Sequence, residues 1–382
     1  MNPDHPHLVF AGGGTAGHLF PGLAVAERLA RSANELTITF AGSGKPFERQ
    51  HVAAAGFPYV ALPCRPLPSR ARDAFRFVAD NVSGYYAARR IVRDQHVSLV
   101  VGLGGYASVP MARAATRRDI PCVLLEQNVV PGRATRWLAP SAALVCAAFE
   151  EVRAQLQPGC PLRVTGNPLR TQIRKSVLMA RRPAMADRNR EHSLLVLGGS
   201  GGAKTLNQQV PWALYKAGAA LTGWRILHQS GDRDADATRD LYGRLGLPAT
   251  VVPFIDDMQT ALVEADLAIS RSGGTTLAEL AAFGVPAVLL PYPHAKDDHQ
   301  RKNADVFAAA GACRIVDQRE LAERLDNHLA TLVAELAGDV ALRSRMSEAM
   351  LRRAHPKAAR LVAKAIENLV WPRQACGEMR AS

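Results

Sequence analysis

The chain has little of what marks an exported, fibrous or membrane-spanning protein. Its six cysteines, Cys64, Cys122, Cys146, Cys160, Cys313 and Cys376, stand singly, with no CxxC and no Cys/His ligand spacing. That pattern argues against a disulfide framework or a zinc site and for reduced thiols. Residues 1 to 7 are polar and lack the charged start and apolar stretch of a signal peptide, so export is not expected. Long apolar runs are missing too. The longest stretch free of Asp, Glu, Lys, Arg and His, Val97 to Ala112, is broken by Gly102, Gly104, Gly105 and Pro110 and is too short for a spanning helix. A soluble or peripheral protein is expected. What is present is an ordinary globular balance, 48% hydrophobic, 21% charged and 6% aromatic, over 382 residues, long enough for two domains.

Acidic residues are short relative to basic ones, giving a formal charge of +13. Two segments carry the whole excess: Ala61 to Arg118 holds ten arginines against three acids, and Arg170 to Arg190 holds seven bases against one acid. A basic surface so localised suits nucleic acid, an anionic membrane or a phosphorylated substrate, and charge alone does not choose. No RRM, helix-turn-helix or aromatic-interleaved module is visible, so no nucleic-acid partner is expected.

Apolar, β-rich runs recur, each followed by a glycine-containing turn and a helical pattern. They are His7–Ala11, Leu36–Ala41, Val97–Leu103, Cys122–Leu125 and Ala143–Ala147, then Leu194–Leu197, Trp224–His228, Thr250–Val252, Leu267–Ser270 and Ala287–Leu290. Strands separated by helices imply parallel sheets covered on both faces. The expected architecture is α/β, two doubly wound Rossmann-like domains facing across a cleft. The boundaries expected are 1–169, a basic linker 170–190, 191–370 and a tail 371–382. Ligands in such sheets bind outside the carboxyl ends of strands, so the loops there hold the chemistry.

Three of those loops are rich in glycine. Gly12-Gly13-Gly14-Thr15-Ala16-Gly17 leads into an amphipathic helix, where unpaired N–H groups and the helix dipole suit an anion. It is neither a clean GxGxxG nor a P-loop, which weakens an NAD(P)-dependent oxidoreductase reading. His18, at the mouth of this loop, is placed either to take a proton from an attacking hydroxyl or to satisfy backbone groups at the helix start. Leu197-Gly-Gly-Ser-Gly-Gly202 repeats the design, with Ser200 as a hydroxyl donor. Ser270-Arg-Ser-Gly-Gly-Thr-Thr276 is the third loop, and its Ser272, Thr275 and Thr276 suit either helix capping or a diphosphate. Glu279, one turn on, suits the hydroxyls of a ribose, although an acid there is also favoured by the helix dipole.

At these loops the chain resembles a known family, the MurG UDP-N-acetylglucosamine transferases of peptidoglycan synthesis. The resemblance runs from about residue 8 to about residue 315 through Gly13–His18 with Pro21, Gly102–Pro110, Glu126-Gln-Asn128, Gly166–Arg170, Gly198–Ser200 with Leu206-Asn207, Phe254–Met258, Arg271–Glu279 and Asp298–Asn303. Ala16 and Gly201 stand where the family usually has glycine and glutamine; alanine at 16 requires a negative φ.

The resemblance implies a B-type glycosyltransferase fold and inverting transfer of N-acetylglucosamine from UDP-GlcNAc to the C4 hydroxyl of MurNAc in lipid I, undecaprenyl-pyrophosphoryl-MurNAc-pentapeptide, to form lipid II. It implies no cofactor and no bound metal, and a peripheral place on the cytoplasmic face of the bacterial cell membrane. Carried over by position, Ile255 contacts uracil through its backbone, Glu279 the ribose, and Ser200 with Gly274, Thr275 and Thr276 the diphosphate, and Leu277 and Ala278 are further substrate-binding positions. Gln300 contacts the sugar hydroxyls, and Arg170 reaches the diphosphate. From the first domain, Thr15, Ala16, Gly17 and Asn128 close over the sugar. For the proton, His18 is favoured as general base with Glu126 as runner-up. A related transferase that glycosylates another lipid, such as diacylglycerol, is the alternative. Of the acid pairs Asp256-Asp257 and Asp297-Asp298, the first follows a strand, where an acid commonly caps a helix.

Arg72 to Arg93 reads as a helix whose apolar stripe, Phe75, Val78, Val82, Tyr85 and Tyr86, is expected to face the core. Phe77 lies off that stripe among Arg72, Arg76 and Arg90, and is expected to be exposed and to meet anionic lipid.

Overall fold

The computed structural model describes residues 5–32, 35–68, 70–170, 173, 191–199, 202–321 and 324–371. The expected linker, apart from Arg170 and Ile173, lies outside the described residues, as do Ser200, Gly201 and the segment from 372 on.

The chain divides into two units. The first comprises Met1–Gln127, Pro131–Arg170 and Lys357–Ser382. Its sheet contains β1 (His7–Ala11), β2 (Thr37–Gly42), β3 (Tyr59–Ala61), β4 (Val97–Gly102), β5 (Cys122–Glu126), β6 (Leu144–Ala147) and β7 (Leu162–Val164), in the order β3-β2-β1-β4-β5-β6-β7. Every pairing is parallel. Covering both faces explains the unbroken apolar strands: Leu8 and Phe10 enter one core while Val9 and Ala11 enter the other.

The second unit comprises Asn128–Val130 and Thr171–Pro356. It holds β8 (His192–Leu197), β9 (Trp224–Gln229), β10 (Ala249–Val252), β11 (Leu267–Ser270), β12 (Ala287–Leu289) and β13 (Cys313–Ile315). Their order is β10-β9-β8-β11-β12-β13, again all parallel. All ten expected strands form. β3, β7 and β13 were not anticipated; each spans three residues at a sheet edge, where one-sided pairing demands little apolar sequence.

Two expectations change. The expected second domain, 191–370, loses its last helix, because Ala358–Val370 packs with the first unit. Val362, Ala363 and Ile366 join Leu19, Leu23 and Leu29 in one core.

The helix Ala74–Asp94 also turns the opposite way from its pattern. Phe75 (82% exposed), Val78, Val82 and Tyr86 face outward, and of the stripe only Tyr85 is half-buried. Phe77, expected to be exposed, is half-buried. The packed face consists instead of Gly84, Ala88 and Val92. A Cβ at Gly84 would overlap the carbonyl oxygen of Pro63, so the helix docks by backbone approach and leaves its large residues outside.

In both sheets strand order reverses beside the first strand, between β1 and β4 and between β8 and β11. The three glycine loops follow β1, β8 and β11, and so lie at these two switch points, where doubly wound sheets open to ligands.

Candidate functional site

At the first switch point, Gly12, Gly13 and Gly14 have φ of 121°, 133° and 24°, values that L side chains rarely adopt. A Cβ on Gly12 would sit 2.8 Å from the Gly104 carbonyl oxygen, so the loops after β1 and β4 touch through their backbones. Ala16, the departure from the family pattern, begins the helix Ala16–Ser32 and is not among the positive-φ residues. His18 lies in the first turn of that helix with Nδ1 2.9 Å from Thr15 Oγ1. Its Cδ2 and Nε2 lie 2.8 and 3.2 Å from where a Gly104 Cβ would be.

Glu126 ends β5, is 4% exposed, and accepts the Gly132 N–H at 3.0 Å. Beneath the loop, the buried Glu48 accepts from Ser43 Oγ at 2.7 Å, the Gly44 N–H at 3.1 Å and the Tyr59 hydroxyl. The Tyr59 phenol is held far above its usual range by burial, with the Glu48 contact adding to it. Arg170 belongs to this unit, its guanidinium 4.8 Å above the Phe20 ring, two residues from His18.

At the second switch point the helix Gly274–Phe283 starts from Gly273 as N-cap, with no side-chain cap. Ser272, expected either to cap this helix or to bind a ligand, instead donates to the Gln300 carbonyl oxygen at 2.7 Å. Gln300 Oε1 accepts the Tyr292 N–H at 3.0 Å. Gly274 and Leu277 are buried, while Thr275, Thr276 and Ala278 on the first turns are half-exposed. Glu279 is 7% exposed. Arg271 is buried and its Nη1 donates to the carbonyls of Leu290 and Pro291 and to Gln318 Oε1; burial pulls its pKa down to about 10, so it remains a cation at neutral pH.

Two amides to which the sequence assigned no role organise the surroundings. Gln229, at the end of β9, donates to the Gly199 carbonyl at 3.0 Å and accepts the Ile255 N–H at 3.1 Å. It therefore ties the second glycine loop to Ile255 and occupies the Ile255 N–H.

The fully buried Asn303 donates to the Ser272 carbonyl at 3.1 Å and to Asn128 Oδ1 at 3.0 Å, and accepts the Val129 N–H at 2.8 Å. Asn128, expected in the first domain, is thereby grouped with the second unit, because its partner stands on the helix His299–Ala309. Both amides lie near sequence signals, Asn303 inside the Asp298–Asn303 motif and Gln229 at a strand end, but neutral amides have no spacing that announces a role. Among the expected site residues, the structure gathers Thr15, Ala16, Gly17 and His18 at one switch point, and the Gly274–Glu279 turn, Gln300 and Asn128 around the other.

Asp257 caps the helix Met258–Glu264, accepting from Thr260 N at 3.1 Å and Oγ1 at 2.7 Å, and these bonds lower its pKa. Asp298 faces Arg319 at 3.4 Å. Among the described residues, no group of three or more His, Cys, Asp or Glu side chains is gathered as a metal site would require.

Residues 8–146 match the glycosyltransferase family 28 N-terminal domain and residues 193–362 the family 28 C-terminal domain. A protein of Geobacter sulfurreducens named UDP-N-acetylglucosamine--N-acetylmuramyl-(pentapeptide) pyrophosphoryl-undecaprenol N-acetylglucosamine transferase is 37% identical over 356 residues, covering 93% of this chain and 96% of the relative. The crystal structure of Acinetobacter baumannii MurG aligns with a TM-score of 0.74 at 31% identity, over 95% of this chain and 99% of that one. A crystal structure of UDP-N-acetylglucosamine 2-epimerase, 11% identical, aligns over 99% of this chain and 100% of that one with a TM-score of 0.67, a likeness of fold alone. With two parallel sheets of Rossmann type and relatives this similar over nearly its whole length, the chain belongs to glycosyltransferase family 28 and, within it, to the MurG transferases.

Proposed function

We infer that this chain transfers N-acetylglucosamine from UDP-GlcNAc to the C4 hydroxyl of MurNAc in lipid I. The observation that carries the reading is the helix start at Gly273. It lies at a switch point, lacks a side-chain cap and has the buried Glu279 on its second turn, an arrangement suited to a nucleoside diphosphate. Names borne by relatives such as the Geobacter protein support the donor and the lipid-linked acceptor.

The hydroxyl oxygen attacks the anomeric carbon from the face opposite UDP; the carbon–oxygen bond to the diphosphate breaks and UDP leaves with the added negative charge. First-turn N–H groups of the Gly274–Phe283 helix, with Thr275, Thr276 and Arg170, stabilise that charge. Such preorganised donors contribute about 3 kcal/mol each to lowering a barrier. Glu279 takes the ribose hydroxyls, the Ile255 carbonyl the uracil, and Gln300 and Asn128 the sugar. His18 accepts the proton of the attacking hydroxyl, with Glu126 as the other candidate. Incubating the purified chain with radiolabelled UDP-GlcNAc and lipid I tests the reading: label enters the lipid fraction if it holds and stays in the nucleotide if it fails.

The acceptor's lipid brings in the outward face of the helix Ala74–Asp94. Phe75, Val78, Val82 and Tyr86 protrude beside the exposed Arg72, Arg76, Arg89 and Arg90. Trp137, also exposed, lies under the Arg113 guanidinium at 5.3 Å. Apolar side chains ringed by arginines suit the anionic surface of a bilayer, with each arginine contributing about 1 kcal/mol. No described helix is long and apolar enough to cross a membrane. We place the attachment as peripheral, on the cytoplasmic face, supported by relatives named for a pyrophosphoryl-undecaprenol acceptor. Vesicle co-sedimentation that ignores anionic lipid content and salt would reject this attachment.

A further inference from the structure

Gln127 follows the runner-up base Glu126 and is 3% exposed. Its Nε2 donates to the Leu103 carbonyl at 3.2 Å and to the Leu125 carbonyl at 3.4 Å. Both amide hydrogens are thus spent, which fixes the orientation of the group, and they stitch the loop after β4 to the end of β5. Among the described residues, its Oε1 is buried without a hydrogen-bond partner. Buried acceptors are normally satisfied, and one left over beside a candidate base calls for a reason.

The reason lies across Gly104. The position of a Gly104 Cβ is 3.6 Å from Gln127 Oε1, 3.2 Å from His18 Nε2 and 2.8 Å from His18 Cδ2, and these are its three nearest atoms outside the neighbouring residues. The carbonyl end of the amide and the Cδ2–Nε2 edge of the imidazole therefore flank one small gap, kept open by a glycine whose φ of 96° excludes most side chains. The other ring nitrogen is taken by Thr15 Oγ1. A ring that accepts a proton becomes positive close to the negative end of the fixed amide dipole, since Nε2 and Oε1 both lie within 3.6 Å of one point.

We propose that Gln127 is a positioning residue for His18, its carbonyl oxygen stabilising the protonated imidazole across Gly104. The proposal rests on His18 being the base. It assigns Gln127 the role of setting how strongly the ring holds a proton, with a neutral partner that leaves the ring free to release it. The charged groups around the loop are Lys45, whose Nζ reaches the Gly14 carbonyl, Glu48 beneath Gly13, Glu126 at the end of β5 and Arg170 over Phe20. Gln127→Met and Gln127→Glu alter none of these four side chains.

The test is an NMR titration of the histidine rings of the whole chain without substrate, with His18 assigned by the signal lost in His18→Ala. Gln127→Met is expected to lower the His18 pKa by about half a unit to one unit, a three- to tenfold weaker hold on the proton. Gln127→Glu is expected to raise it. The acidic limb of the kcat/KM profile should move the same way while the KM for UDP-GlcNAc stays unchanged. A purely structural clip gives losses in both variants without opposite shifts. A His18 titration that is unmoved, or that moves in one direction in both variants, overturns the proposal. Should the Glu variant fail to fold, the Met titration decides alone. Turnover of His18→Ala tests the base assignment separately, since the ring titration needs no substrate.

Discussion

The two switch points share a plan and differ in the groups behind it. Each joins glycine-rich backbone to a helix start at the carboxyl end of a parallel sheet. Behind the first stand Glu48, Glu126 and His18, two buried carboxyl groups and an imidazole, a set suited to moving a proton. Behind the second stand Arg271, an uncapped helix start and the amides Gln229, Gln300 and Asn303, a set suited to holding an anion and its sugar. Strand order decides where a ligand sits; the side chains under each loop decide what is done to it.

The sharpest way to break this comparison is His18→Ala. Loss of a general base should cut turnover by roughly 10²- to 10⁴-fold with UDP-GlcNAc affinity intact. Steady-state kinetics beside Glu126→Ala will read it, and near wild-type turnover of the His18 variant moves the proton elsewhere.

At the second switch point, Asn303→Ala takes the acceptor from the Val129 N–H and the buried donor from the Ser272 carbonyl. Losing the partner of a buried polar group costs about 1–3 kcal/mol. Urea unfolding should show that loss, whereas an unchanged midpoint would mean that the amide does not hold the third loop.

A buried histidine of the second unit contrasts with His18 and gives a pH test. His228 hydrogen-bonds Tyr242 and Asn207, and burial pulls its pKa down from 6.5 to about 3. The folded chain keeps this ring neutral, while the unfolded chain protonates it below about 6.5. Its contribution is therefore complete above that pH and falls away as the pH drops toward 3, at no more than about 1.4 kcal/mol per unit. Between pH 7 and 5 the unfolding midpoint should fall more steeply in the wild type than in His228→Gln; parallel slopes would contradict this.

The smallest effect expected is on the outward helix. Phe75→Ser with Tyr86→Ser should weaken binding to anionic vesicles several-fold, through lost apolar insertion, and leave turnover on detergent-solubilised lipid I unchanged. Equal sedimentation of variant and wild type would detach that face from the membrane.

Much of this was legible in the sequence, because the signals were backbone signals. The apolar runs of β1, β4, β8 and β11 and the glycines after them follow from burial on both faces and from positive φ. The helix Ala74–Asp94 packs opposite to its apolar pattern, since hydrophobic periodicity assumes that large residues make the contact, and here Gly84 and Ala88 do. The short edge strands β3, β7 and β13 carry too few residues to show a pattern. Asn303, Gln229 and Gln127 act through hydrogen bonds to backbone groups distant in sequence, and only the fold brings those partners together.

The division of labour is tested most directly by calorimetric titration of UDP-GlcNAc into the chain, into Glu279→Ala and into His18→Ala. Removing a charged hydrogen-bond acceptor weakens binding by about 1.5–3 kcal/mol, so the Glu279 variant should bind roughly ten- to a hundredfold more weakly while the His18 variant binds as the wild type does. Donor binding untouched by Glu279→Ala, or lost in His18→Ala, would contradict it.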